Sequence, residues 1–469
     1  MAQALSQPVR QPYGAFEHLY SRTTFRTYED SDGLHQTLVR NGENAEQRIA
    51  YVIGSGSHAL GYLVRIGDHL FQSPLCYYTQ SRSWGMAPGY ELDPHPDFSR
   101  PVPAACLLCH SGRPEALEGT LNRYEDHAFS AEGISCDRCH GSSDQHVRRP
   151  VSGSIVNPRR LTGSRRDSVC EQCHLAGEVR IPNPGKKLAD YMPGDSLEDS
   201  YTIYVRAQPV GGLIKVVSHV EQLALSACAR QSSGRLWCGT CHNPHQTITN
   251  PAEYFRGRCL ACHAATLSKE HAAEGRNCVA CHMRRKPTSD GGHTIFTDHR
   301  IARRPEVPNE SDQVFDLRPW REPEAKFRQR NMGLALADFA TQKKSSAKMI
   351  EAFRLLHRVE KEFSNDPTVL TAMGSLLFIA QDTEEAEKLY RETVALKPDF
   401  APYQVNLGAA LLKEGKQLEA REWLEKALQL DPLLEWGVQL MSRLYQELGE
   451  KEKADALQAR YKEAMGYKR

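Results

Sequence analysis

Cys-x-x-Cys-His occurs six times between residues 106 and 282. The copies are CLLCH (Cys106, Cys109, His110), CDRCH (Cys136, Cys139, His140), CEQCH (Cys170, Cys173, His174), CGTCH (Cys238, Cys241, His242), CLACH (Cys259, Cys262, His263) and CVACH (Cys278, Cys281, His282). The spacing reads as covalent attachment of c-type heme. Each thiol bonds one vinyl group, and the adjacent histidine ligates the iron from one face. Paired CxxC also binds zinc, but zinc does not require a histidine directly after every second cysteine. A stretch carrying six such cofactors fills its interior with them, so short helices and loops are expected around them.

Charged residues make up 25% of the chain and its formal charge is +1, which gives no basic surface for nucleic acid. Heme propionates would make the finished molecule acidic. The longest apolar run, near Leu376–Ala380, falls far short of the roughly 20 residues a membrane span needs. Twelve of the fourteen cysteines lie in the motifs. The remaining two, Cys76 and Cys228, are read either as a disulfide of an oxidising compartment or as two free thiols. Heme attachment takes place outside the cytoplasm, so a periplasmic or extracellular protein is expected. The opening MAQALSQPVRQP has neither a basic segment nor an apolar one, and a leader ahead of it is expected.

Residues 1–100 are rich in aromatic residues and glycine, and Arg48–Gly54 and Leu60–Leu70 alternate like short strands. This is expected to be a short β-containing segment packed on a hexaheme domain at 101–302. That domain is dense in Gly, Pro, Asn and Asp and poor in periodic segments. A polar, proline-bearing linker is expected over 303–321, and an α-solenoid over 322–469. The fold class expected is mainly α, with separate cores in the heme and solenoid halves.

The solenoid reading rests on a repeat. Ala352, Ala386, Ala420 and Ala454 recur every 34 residues, as do the pairs Gly374 and Gly408, Pro398 and Pro432, and Gly415 and Gly449. Thirty-four is the tetratricopeptide (TPR) period, in which small residues stand where paired helices cross. Each pair buries its remaining apolar face on the next one.

Of 19 histidines, six are proximal and His357 lies in the helical tail, which leaves twelve for six distal positions. His245, in CHNPH, sits on the proximal side of its own heme and is expected to reach another. His146, in CDRCHGSSDQH, stands in the same relation to its motif. His293 and His299 follow the last motif, and His219 and His58 complete the distal set. His127, His271, His69, His95, His35 and His18 are held in reserve.

The strings GISCDRCHGSSDQHV, IVNPRRL, VCEQCHLAGE, SHVEQ, SSGRLWCGTCHNPH, CVACHM and TDHRI resemble a bacterial family of exported multiheme c-type cytochromes fused to C-terminal TPR arrays. The resemblance runs from about His58 to the end of the tail. It implies bis-His hemes stacked closely enough to pass electrons, and it does not assign an enzymatic activity. The heme part is more loosely similar to tetraheme carriers and octaheme nitrogen-cycle oxidoreductases.

Three functions fit these residues. The first is an electron conduit, because two imidazoles per iron leave no substrate site and His/His ligation favours low potential. The second is an oxidoreductase that keeps one heme open for a small nitrogen or sulfur compound, although no Cys-x-x-Cys-Lys motif is present. The third is a self-assembling extracellular filament. The TPR groove or the heme edges are expected to meet redox partner proteins, with self-association as the alternative.

Overall fold

The computed structural model describes residues 4–5, 13–54, 56–207, 214–266, 277–303 and 316–468. Seven strands run as an antiparallel meander: Gly14–His18, Thr23–Asp30, Gly33–Arg40, Glu43–Ile53, Ala59–Ile66, His69–Tyr78 and Ser83–Met86. Two-residue turns join several of them. Asn41 and Gly42, with φ of 52° and 84°, link the paired residues Arg40 and Glu43. That geometry suits the twist of a hairpin. Ladder shifts between Ile49 and Tyr51 and between Gly61 and Leu63 bend the strands. The sheet thereby curls until a Cβ on Gly14 would lie 3.9 Å from the Trp84 ring in the last strand. The result is a nearly closed barrel around Phe25, Leu38, Val52, Tyr62, Val64, Leu75 and Phe98.

This corrects the mainly-α expectation: the first hundred residues are a sheet-rich body with its own core rather than a short β-containing segment. The strands were under-read because His69–Tyr78 is buried at eight of ten positions, so its polar–apolar alternation is lost. The supposed strand Leu60–Leu70 holds a turn at Gly67-Asp68, between the paired residues Ile66 and His69. Cys76 is buried in this core and Cys228 is partly exposed in the helix Ala227–Gln231; both are free thiols.

The motif region consists of short helices, small sheets and loops. A cluster of Leu175, Tyr191, Leu197, Tyr201, Ile203 and Val205 packs near CEQCH. Beyond it the apolar core stops. Among the described residues from 215 to 303 no hydrophobic side chain is buried. The helix Pro251–His263 has no buried residue at all, although it runs 13 residues.

Four helix pairs follow: Arg328–Gln342 with Ser346–Val359, Pro367–Ile379 with Thr383–Leu396, Ala401–Lys413 with Gln417–Leu430, and Glu435–Glu447 with Lys451–Ala464. The four periodic alanines are all completely buried. A Cβ on Gly374 would stand 2.8 Å from the Tyr390 ring, and one on Gly408 2.8 Å from Leu424. These glycines let the two helices of a pair approach.

The solenoid is not a free tail. Over 304–315 the expected linker lies outside the described residues, but from Asp316 the chain is built into the fold. Leu317–Pro319 pairs with the strand Tyr201–Arg206 of the motif region. Val179, Ile181, Tyr204 and Leu317 share one core with Leu334, Phe339, Leu356 and Leu370 of the first repeats. The expectation of separate cores is thus corrected, because the first helix needs the small sheet to cover its apolar face. At the other end Tyr467–Lys468 pairs with Asn44 and Ala45 of the barrel. His69 Nε2 and Asp431 stand 3.0 Å apart between barrel and solenoid.

Candidate functional site

All six motifs sit in a turn of helix or at a helix end. CEQCH ends the helix Gly163–His174, and CLACH ends Pro251–His263. CDRCH, CGTCH and CVACH occupy the short helices Asp137–His140, Cys238–Cys241 and Cys278–His282, while CLLCH begins inside the turn Ala104–Leu107 at Cys106. Residues three apart on a helix lie on one side, so each pair of thiols faces one direction. A free cysteine used as packing is among the most buried residue types. None of the twelve motif cysteines is buried, and Cys106, Cys136, Cys262 and Cys281 are exposed, whereas Cys76 lies in the barrel core.

The motifs come together across the sequence. Cys109 Sγ of CLLCH donates to the Gln172 carbonyl of CEQCH at 3.5 Å, and Arg166 on the CEQCH helix lies over the Trp237 ring before CGTCH at 5.0 Å. The Cys109 thiol is lowered by Cys173 and by Arg180 beside it, against the rise that burial alone would give. The variable residues of the motifs tie them together. Arg138 of CDRCH, buried, donates to the Leu108 carbonyl at 3.0 Å, and Gln172 of CEQCH donates to the Arg138 carbonyl at 2.7 Å. Glu171 pairs with Arg321 and accepts from Trp320 Nε1 at 3.1 Å. Its burial raises the carboxyl to about 7, with Arg321 opposing that rise. No sequence pattern marks Arg138, Gln172 or Glu171, and Arg321 falls at the end of the expected linker.

Histidine geometry bears on what the motifs can hold. His140 Nδ1 bonds the Val156 carbonyl at 2.7 Å, His282 Nδ1 the Ala302 carbonyl at 3.1 Å, and His299 Nδ1 the Thr297 carbonyl at 2.9 Å. A carbonyl only accepts, so Nδ1 carries the proton and the lone pair sits on Nε2. This is the arrangement found in metal-ligating histidine. Rings from different stretches then meet in pairs. His140 stacks on His245 with centroids 5.7 Å apart, His174 meets His219 at 5.1 Å, and His242 lies 6.2 Å from His299. Metal–nitrogen bonds of about 2 Å on either side of one ion would put two imidazole centroids roughly 6 Å apart. Paired thiols with an adjacent imidazole, three of them near a second imidazole, are the donor types that covalent heme with two axial histidines needs. A cleft of about 320 Å³ lies against His140, bounded by Gly141, Ser154, Val156 and Met192.

Other expected ligands have different neighbours. His146 Nδ1 and the Ser154 hydroxyl lie 2.8 Å apart, His58 stacks on Phe296 at 4.0 Å, and His293 meets Tyr78 edge-on at 5.2 Å. Among the reserves, buried His18 bonds Ser21, buried His35 lies beside Asp30, and buried His69 bridges Asp68 and Asp431. His95 and His127 are exposed, and His271 lies outside the described residues. Among the described residues no group of three or more His, Cys, Asp or Glu side chains is arranged around a bare metal ion.

A tetratricopeptide repeat model matches residues 401–432, so the helical tail is a TPR array. Multiheme cytochrome MtrA of Shewanella baltica is 24% identical over 183 residues, covering 34% of this chain and 52% of that protein. Protein O-mannosyl-transferase TMTC3 of Homo sapiens is 46% identical over 48 residues, 10% of this chain and 5% of that one. The chain thus spans about half the length of the first relative and a twentieth of the second. Among solved structures, MamA from Desulfovibrio magneticus RS-1 gives a TM-score of 0.27 at 20% identity, covering 30% of this chain and 75% of that one. No helix among the described residues is long and apolar enough to cross a membrane.

Proposed function

We propose that this protein is an exported multiheme c-type cytochrome that carries electrons through six covalently attached hemes, with its TPR array making protein contacts. The observation that carries the reading is the fate of the motif side chains. Their thiols stay out of any apolar core, and three of their histidines face a histidine from another stretch of chain. Cys106, Cys109, Cys136, Cys139, Cys170, Cys173, Cys238, Cys241, Cys259, Cys262, Cys278 and Cys281 would hold the hemes by thioether bonds. His110, His140, His174, His242, His263 and His282 would ligate from the proximal side. When bound, such groups supply reversible one-electron redox chemistry, and bis-His ligation keeps their potentials low. The protein's own part is to hold the imidazoles in the neutral tautomer, to cross-tie the motifs through Arg138 and Gln172, and to cover CEQCH with Arg321 and Trp320. The partial likeness to a multiheme cytochrome supports this reading.

The test is expression in an export-competent host with heme-attachment machinery, followed by pyridine hemochrome assay and intact mass. Six hemes per chain, with little response of the reduced spectrum to carbon monoxide, is the expected result. Bound zinc without heme would overturn it.

A further inference from the structure

His174, His219, His242 and His299 form one contiguous cluster drawn from four stretches of chain. The His219 and His299 rings lie 4.8 Å apart, and the outer members His174 and His242 stand 5.1 Å and 6.2 Å from them. Two of the four directly follow a motif cysteine and two do not. The helix His219–Ala224 carries His219, and the strand-ending loop after Ile295–Thr297 carries His299. His299 is fixed twice: its backbone N–H donates to Gln222 Oε1 at 2.7 Å, and its Nδ1–H donates to the Thr297 carbonyl. Gln222 belongs to the same short helix as His219, so one element positions both rings. Phe296 meets His219 at 6.2 Å and His58 at 4.0 Å, which separates His58 from the cluster.

We propose that His219 is the distal ligand of the heme attached at Cys170 and Cys173, and His299 that of the heme at Cys238 and Cys241, so that these two sites form the central junction of the array. The assignment rests on the covalent-heme reading above. The alternative pairing, His219 with His299 on one iron, would leave His174 and His242 without a partner from the cluster. Contacts around CEQCH give the junction its place. Cys109 Sγ of CLLCH donates to the Gln172 carbonyl at 3.5 Å, and Gln172 donates to the Arg138 carbonyl of CDRCH at 2.7 Å. Arg166, on the helix that ends in CEQCH, lies over the Trp237 ring just before CGTCH at 5.0 Å. CGTCH in turn approaches the helix that ends in CLACH, where His242 meets Phe255 at 5.4 Å. Two arms therefore meet at CEQCH, and a third leaves through CGTCH.

The experiment uses the full holoprotein and three variants, His219→Ala, His299→Ala and the double variant, with heme content fixed first by intact mass. Each single variant should keep six hemes, show one high-spin ferric signal and bind one equivalent of carbon monoxide. The double variant should bind two, and added imidazole should return the low-spin spectrum. One equivalent in the double variant would mean that the two histidines share an iron, and none in either single variant would mean that neither is a ligand; both results overturn the assignment. Should an alanine variant lose heme, His299→Met decides. It should keep six hemes and raise one midpoint potential, and an unchanged potentiometric titration would sink the proposal. A wild-type chain without heme would instead overturn the preceding reading and leave a different question.

Discussion

The solenoid and the stretch from 215 to 303 both contain helices, but they are held together by different means. In the solenoid every helix buries an apolar stripe. Leu424 and Ala420 are completely buried against Gly408 and its neighbours. In the other stretch the 13-residue helix Pro251–His263 buries nothing, and no hydrophobic side chain in the described residues there is buried. Isolated helices of that length are marginal in water. One region is thus cohesive by packing alone, and the other depends on what its cysteines and histidines hold. Pro251–His263 is as long as the solenoid helix Ala401–Lys413, so length does not distinguish these two helices; burial does.

The largest effect that would break this contrast is loss of the cofactors. Made without heme-attachment machinery, the chain should be cut by protease throughout 215–303 while the solenoid stays intact and keeps its helical circular dichroism. Equal protection of both regions in limited proteolysis with mass mapping would show that side chains suffice there.

Next comes the joint between the regions. Glu171 is 3% exposed and is paired with Arg321, so Arg321→Ala leaves a buried carboxylate without its cation. Removing one partner of a buried pair costs about 3–5 kcal/mol, measured by denaturant unfolding. The pH dependence has a definite sign. The folded Glu171 carboxyl titrates at about 7, above its unfolded value. The folded state therefore holds the proton more tightly, and the stability from this group is full below the ordinary Glu range, about pH 4.3. It is lost as pH rises through 7. Arg321→Ala should extend that loss to higher pH, and a pH-independent difference between variant and wild type would contradict this account.

Within the solenoid, Leu424→Ala should cost about 2–5 kcal/mol by opening a cavity, with the visible spectrum of the motif region unchanged. A spectral change would mean that the two regions are coupled more widely than through their shared sheet. The smallest effect is expected at Gly415, which follows the helix Ala401–Lys413 with φ of 76° and open space where a Cβ would stand. Gly415→Ala should cost roughly 1 kcal/mol from backbone strain alone, seen as a slightly lower thermal midpoint with no spectral change.

Features that are local or periodic are legible in the residues alone. Cys-x-x-Cys-His needs only one helical turn to set its three side chains, and the 34-residue repeat needs only the next repeat, so both were legible without tertiary contacts. The histidine partners were less so. His245 stands beside His140 and His299 beside His242, while His58, His146 and His293 lie against Phe296, Ser154 and Tyr78. Each of these neighbours depends on loops whose paths the sequence does not specify. The full extent of the barrel is hidden because its strand His69–Tyr78 is buried on both faces and shows no period of two. The join between solenoid and motif region was read as a linker because Leu317, Trp320 and Arg321 find their partners, Tyr204 and Glu171, more than a hundred residues earlier in the chain. Such contacts exist only once the sheet at Tyr201–Arg206 has formed, because they join residues that the chain brings together only on folding.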